Sequence, residues 1–237
     1  MRTDATQLRD FYASGLGKVA RRMIGLRIRS VWPDVRGLTV VGLGYAVPYL
    51  GVFRPEAERT IAVMPAAQGV LRWPEEGGSV TALAEEAKLP LPDRSADRVL
   101  LVHAMECAEQ LRPMLRDLWR VTADGGRVLV VVPNRRGLWA RFERTPFGYG
   151  SPFTPGQLSA SLRDGLFAPY RTETALFVPP VRSRLMLSAA AACEKVGRRW
   201  FTGFAGVVLV EATKEIYAGR FTFRSARQRA YAPVATR

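Results

Sequence analysis

The 237-residue chain is poor in the residues that build metal centres and disulfide frameworks, with one histidine, His103, and two cysteines, Cys107 and Cys193. The cysteines lie far apart and outside any metal-ligand spacing, so they predict buried thiols rather than a disulfide, and a zinc site would be hard to assemble; no metal is expected. No apolar run approaches the roughly 20 residues that span a bilayer. The opening MRTDATQLRD has an early acid and lacks the apolar centre of a secretory signal, so the expected location is the cytoplasm. Acid is scarce as well: 21 acidic residues face 35 basic ones, a net charge of +14, and only Lys18, Lys88, Lys195 and Lys214 of the basic residues are not arginine. Abundant Ala, Gly, Pro and Val beside arginine fit a GC-rich coding bias as well as a binding surface. The cations are nonetheless gathered at the ends. Residues 1–36 carry eight basic and three acidic side chains, and the stretch from Gly219 carries five arginines and no acid. Such ends suit an anionic partner: nucleic acid, an acidic lipid surface or an acidic protein. With no zinc-finger, RNA-recognition or helix-turn-helix signature, nucleic-acid binding would rest on shape and charge.

What is present is a pattern of strands and helices long enough for one α/β domain. Leu8, Phe11, Tyr12, Leu16, Val19, Met23 and Leu26 recur at helical spacing and predict a helix over 4–30, weakened in its middle by Gly15 and Gly17. LTVVGLGYAVPYL (38–50) reads as a buried strand, a glycine turn and a helix onset. Further strands are expected at 59–65, 80–83 and 98–102, in RVLVVVPN, in RTETALFVPP and in GVVLVEATKEIYA. CAEQLRPMLRDLWRVTADGG reads as an amphipathic helix with Leu111, Leu115, Leu118 and Trp119 as its stripe, closed by a glycine turn. Residues 182–200 read as a basic helix. Alternation at this spacing implies a Rossmann-like, doubly wound, mostly parallel seven-stranded α/β sheet with an N-terminal helix and a cap between strands five and six. The expected organisation is a basic helical segment over 1–36, the main domain over 37–218 with its cap at about 135–170, and a flexible basic tail over 219–237.

The order of landmarks in EEAKLPLPDRSADRVLLVHAMECAEQLRPMLRDLWRVTADGGRVLVVVPN resembles the bacterial class I S-adenosylmethionine (SAM)-dependent methyltransferases of the small-molecule and ubiquinone-pathway group. An acidic loop, an LPLPD turn, an ADRV strand entry, a histidine after strand four, an LWRV helix end and a DGG turn follow one another at family-like distances. FTPGQLSASLRDGLF is similar to the family's helix before strand six. The resemblance implies methyl transfer from SAM to a small or lipid-like acceptor, with the cofactor outside the carboxyl ends of the strands. A sulfonium donor is already activated, so the protein chiefly supplies alignment, exclusion of water and electrostatics. A methyltransferase-like chain that binds nucleic acid or an acidic partner without transfer is the alternative.

Against the family's D-x-G-x-G-x-G loop, GLGYAVP places Gly42 at the acid, Gly44 at the first glycine, Ala46 at the second and Pro48 at the third; the other register puts Val40 at the acid. Neither supplies a carboxylate. At the end of strand two, where the family has a ribose-binding acid, stand Met64 and Pro65. Each lost charge-assisted hydrogen bond costs roughly 1.5–3 kcal/mol, so the resemblance implies a SAM site weakened at two points. Glu85 and Glu86 occupy the family's adenine-contacting position. His103, after strand four, is either a hydrogen-bonding structural residue or a general base. Asn134, after strand five, and in the cap Arg135, Trp139, Phe147 and Tyr149 are candidate contacts to a planar or anionic acceptor; otherwise Asn134 satisfies turn backbone groups and the cap aromatics seal the sheet edge.

Overall fold

The computed structural model describes residues 4–216. The tail expected from residue 219 lies outside them. The chain opens with two helices where one was expected, α1 (Ala5–Ala13) and α2 (Gly15–Val31). The break falls at Ser14, whose backbone is extended. Its hydroxyl donates to Phe11 O and accepts from Gly17 N, so one residue ends one helix and caps the next. Gly17 is required at this joint, because a Cβ there would stand 1.9 Å from Phe11 O. The glycines that weakened the sequence pattern therefore mark a corner.

Among the described residues seven strands follow: β1 (Thr39–Gly44), β2 (Arg59–Pro65), β3 (Thr81–Ala84), β4 (Ala96–Val102), β5 (Thr122–Pro133), β6 (Phe167–Ala175) and β7 (Val207–Lys214). They form one sheet in the order β3-β2-β1-β4-β5-β7-β6. Neighbours from β3 to β5 pair in parallel, and β7 runs antiparallel between β5 and β6. The order reverses at β1 and β4, whose carboxyl ends bear Gly44 and His103. The helix after β1, α3 (Val47–Leu50), is one turn long, with Pro48 in its first turn. Between β5 and β6 lie two 3-10 turns and α5 (Pro155–Asp164), which starts with a capping box of Thr154 and Gln157.

Alternation along the central strands sends successive residues to opposite faces. Leu100, Val102, Leu129 and Val131 face α1, α2 and α3, while Val99, Leu101, Val128 and Val130 face α4 (Leu111–Val121) and α5. The sixth strand lies earlier than RTETALFVPP suggested: Leu176 and Val178 are buried in the core but outside any strand. The expected basic helix over 182–200 is divided into α6 (Arg184–Ser188) and α7 (Ala190–Trp200).

Candidate cofactor site

The turn after β1 is shaped by contacts within the sheet. Gly44 has φ +81°, and a Cβ would stand 2.3 Å from Val102 O and 2.9 Å from the Ala104 Cβ. Tyr45 N donates to Val102 O at 2.8 Å, locking the turn to the end of β4. At Gly42 a Cβ would meet Leu50 Cδ1 at 2.6 Å and the Ala46 Cβ at 2.8 Å. The family's acid position is thus filled by the short helix packed on it. Met64 is buried too, and its sulfur accepts from Leu71 N at 3.3 Å. Both missing carboxylates stand where the fold uses the space for itself.

At the end of β4, His103 is buried in the left-handed region with φ +51°, a conformation that costs a non-glycine residue about 1–3 kcal/mol. Gln68 donates to its carbonyl. Tyr12, from α1, lies 2.9 Å from His103 Nε2, and Tyr49 donates to the Tyr12 hydroxyl at 3.1 Å. Tyr12 also stacks on Tyr45, ring centroids 5.9 Å apart. Burial holds the Tyr12 phenol well above its ordinary value, with Tyr49 and then Glu106 adding to the shift. Burial likewise raises Tyr49, and pushes Tyr45 up to about 12. The neutral Tyr12 hydroxyl donates to Nε2 when the imidazole proton sits on Nδ1 and accepts from it in the other tautomer. Glu106 Oε1 lies 3.3 Å from Nδ1 but outside hydrogen-bond geometry, and neither carboxylate oxygen has a hydrogen-bond partner among the described residues. On the cap side Phe147 packs on the imidazole at 5.0 Å.

The predicted residues divide accordingly. Gly42, Gly44, Ala46, Met64 and His103 converge at the switch point and are all buried. Pro65, Glu85 and Glu86 line a groove of about 350 Å³ with Ala66, Ala67 and Gln110. Within it Glu86 Oε1 accepts from Glu109 N and Gln110 N, bracing the chain before α4, whereas Glu85 is exposed. Asn134 is engaged by the backbone, donating to Gly203 O and Ala205 O. Arg135 is exposed and donates to Pro152 O. Trp139 is fully buried, its Nε1 on Val178 O at 2.7 Å. Phe147 reaches the His103 cluster, and Tyr149 is half-buried at the cap edge. Sequence reasoning passed over Tyr12, Tyr49, Gln68 and Glu106. His103-x-x-Glu106 carried a local signal in its spacing; Tyr12, 91 residues from its partner, carried none.

SAM fits this arrangement in part. The open groove at Pro65–Ala67 and Glu85 suits its adenine end. Over Gly44 and Met64 the ribose and methionine end finds no carboxylate, and beside them Tyr12 and Gln68 are bonded to His103 at the end of β4.

Residues 41–130 match the family model described as a methyltransferase domain. The chain is 29% identical over 157 residues to the demethylmenaquinone methyltransferase of Thermus thermophilus, a match covering 65% of this chain and 63% of that protein, so it spans under two thirds of the relative's length. In fold it is similar to a SAM-dependent methyltransferase from Archaeoglobus fulgidus, at TM-score 0.57 and 19% identity over 82% of this chain and 94% of that one. It is similar as well to a SAM-dependent methyltransferase, described as a possible histamine N-methyltransferase, from Thermotoga maritima, at TM-score 0.54 and 17% identity over 82% and 91%. None of these relatives lends support to a nucleic-acid role. Domain match, relative and sheet order together make the chain similar to the class I SAM-dependent methyltransferases, whose cofactor is S-adenosylmethionine.

Proposed function

We propose that the protein is a cytoplasmic SAM-dependent methyltransferase that acts on a small apolar or lipid-like acceptor and closes its own site with Tyr12. The observation that carries this reading is the buried Glu106–His103 pair at the end of β4, beside the β1 glycine turn and bonded to a phenol on its outer nitrogen. Bound SAM supplies an activated methyl group on a sulfonium. The chain's own part is acid–base and steric. With Tyr12 withdrawn, His103 Nε2 is free to take a proton from an acceptor hydroxyl or amine, and Glu106 stabilises the imidazolium that results. Phe147, Tyr45 and Tyr49 keep water from the same space. Beside them lies a cavity of about 460 Å³ lined by Phe11, Leu16, Phe142 and Val181 with Arg144 and Arg182, which suits an apolar body with an anionic or polar head.

Calorimetric titration of the full chain with SAM tests the proposal. Tyr12→Ala removes the group that covers the methionine end and is expected to bind SAM at least about tenfold more tightly than wild type. Absence of binding by both proteins at millimolar SAM, with both folded, would overturn it. Glu106→Gln is expected to leave SAM binding within about twofold while lowering methyl transfer by about 10²-fold or more.

A further inference from the structure

The segment between β6 and β7 presents a surface that methyl transfer does not use. The inner side of α7 is firmly seated: Ala190 and Gly197 are buried, and a Cβ on Gly197 would stand 2.4 Å from the Phe177 ring. The Glu194 carboxylate accepts from Leu176 N and Phe177 N, holding the helix to the chain that leaves β6. The outer side is bare. Val196 and Trp200, four residues apart on one stripe, are 52% and 70% exposed, and Phe201 and Phe204, in the turn that follows, are 54% and 64% exposed. Large apolar side chains grouped in this way on a well-anchored element mark an interaction surface rather than the scattered exposure of an ordinary protein face.

Charge around these residues is of one sign. From Pro179 to Gly206 the cations are Arg182, Arg184, Lys195, Arg198 and Arg199, and the single acid, Glu194, is turned inward onto backbone amides. None of the five is ion-paired with a described acidic residue, and the Arg199 guanidinium lies 5.6 Å over the Trp200 ring. Around α7, Lys195, Arg198 and Arg199 flank one side of the exposed face, with Ala192, Val196 and Trp200 on the other. An apolar edge that ends in aromatic residues and is bordered by arginine and lysine is the composition of a helix lying in a membrane interface. No helix among the described residues is long and apolar enough to cross a membrane, so contact would be made by this surface alone.

We propose that α7 and the following turn dock the protein on an anionic lipid bilayer, with Val196, Trp200, Phe201 and Phe204 entering the headgroup region and Arg182, Arg184, Lys195, Arg198 and Arg199 meeting the lipid phosphates. Bulky aliphatic and aromatic groups together favour a bilayer over nucleic acid, for which flat stacking faces and phosphate contacts suffice. Placement adds a second reason. Because β6 runs parallel to β1 and β4, the segment leaves the sheet at the end that bears Gly44 and His103. Val181 and Arg182, just before α6, also line the 460 Å³ cavity. A membrane on this surface would lie against the mouth of the cavity, where an apolar acceptor could enter without crossing water.

The test is sedimentation of the full chain with vesicles of phosphatidylcholine alone and of phosphatidylcholine with phosphatidylglycerol, in the absence of SAM, so the result is independent of methyl transfer. Wild type is expected to bind the phosphatidylglycerol vesicles at least about tenfold more tightly, with affinity falling as salt rises. Trp200→Ser with Phe204→Ser, and Arg198→Glu with Arg199→Glu, are each expected to lose at least about tenfold while melting within about 2 °C of wild type. Failure of wild type to bind, or wild-type binding by both folded variants, would overturn the proposal. So would equal loss of binding to a DNA duplex and to vesicles in the charge variant with no loss of vesicle binding in the aromatic one.

Discussion

Gly42 shows how one position can settle the history of a loop. Restoring the family's acid there places a carboxylate where even a Cβ would meet Leu50 and Ala46 inside 3 Å. Gly42→Asp is therefore expected to destabilise the protein by about 3 kcal/mol or more, through overpacking and a buried unpaired charge, and to lower the melting temperature by roughly 6–12 °C without tightening SAM binding. Thermal denaturation and calorimetry on one sample check both halves of this expectation. Met64 is a gentler case, since its sulfur takes Leu71 N and leaves no amide orphaned. The two departures from the family pattern were plain in the sequence. Their setting was not, because Leu50, which fills the space at Gly42, and Leu71, whose amide meets the Met64 sulfur, come from segments whose packing no local pattern specifies.

At the scale of elements, Glu194 couples α7 to β6 and makes the coupling sensitive to pH. Burial raises its pKa above the ordinary carboxylate value, opposed by the amides of Phe177 and Leu176 and by Arg27 and Arg198. The folded state therefore binds its proton more tightly than the unfolded chain. The stability this contributes is fully present below the ordinary carboxylate range and is lost as pH rises through the raised folded value. Melting temperatures of wild type and Glu194→Gln, followed from about pH 4 to about pH 7, should show wild type losing stability relative to the variant; parallel curves would refute the assignment. The central elements were legible because β4 and β5 are unbroken apolar runs and α4 has a strong stripe, patterns that local chemistry fixes by itself. The corner at Ser14 was half legible, as two glycines in a helical pattern. The end of β6 was misread because Leu176 and Val178 are buried by irregular chain, and apolarity reports burial rather than hydrogen bonding.

Across the whole molecule, the N-terminal helices are tied to the last strand. Trp32 Nε1, at the end of α2, donates to Glu211 of β7 at 2.9 Å, and both side chains are buried. Trp32→Phe keeps most of the ring and removes this donor, and is expected to cost about 1–3 kcal/mol, read as a fall of roughly 2–12 °C in melting temperature. The same helices bring Tyr12 over His103, which gives the corner at Ser14 a bearing on how the protein responds to its surroundings. Two hydrogen bonds hold the phenol in place, each worth about 1 kcal/mol. Any ligand that needs the covered space must offset about 2 kcal/mol before it binds, so half-saturation moves up by as much as ~30-fold in ligand concentration. The tyrosine then sets the concentration at which the site fills, leaving it largely closed when cofactor is dilute and opening it gradually as supply rises.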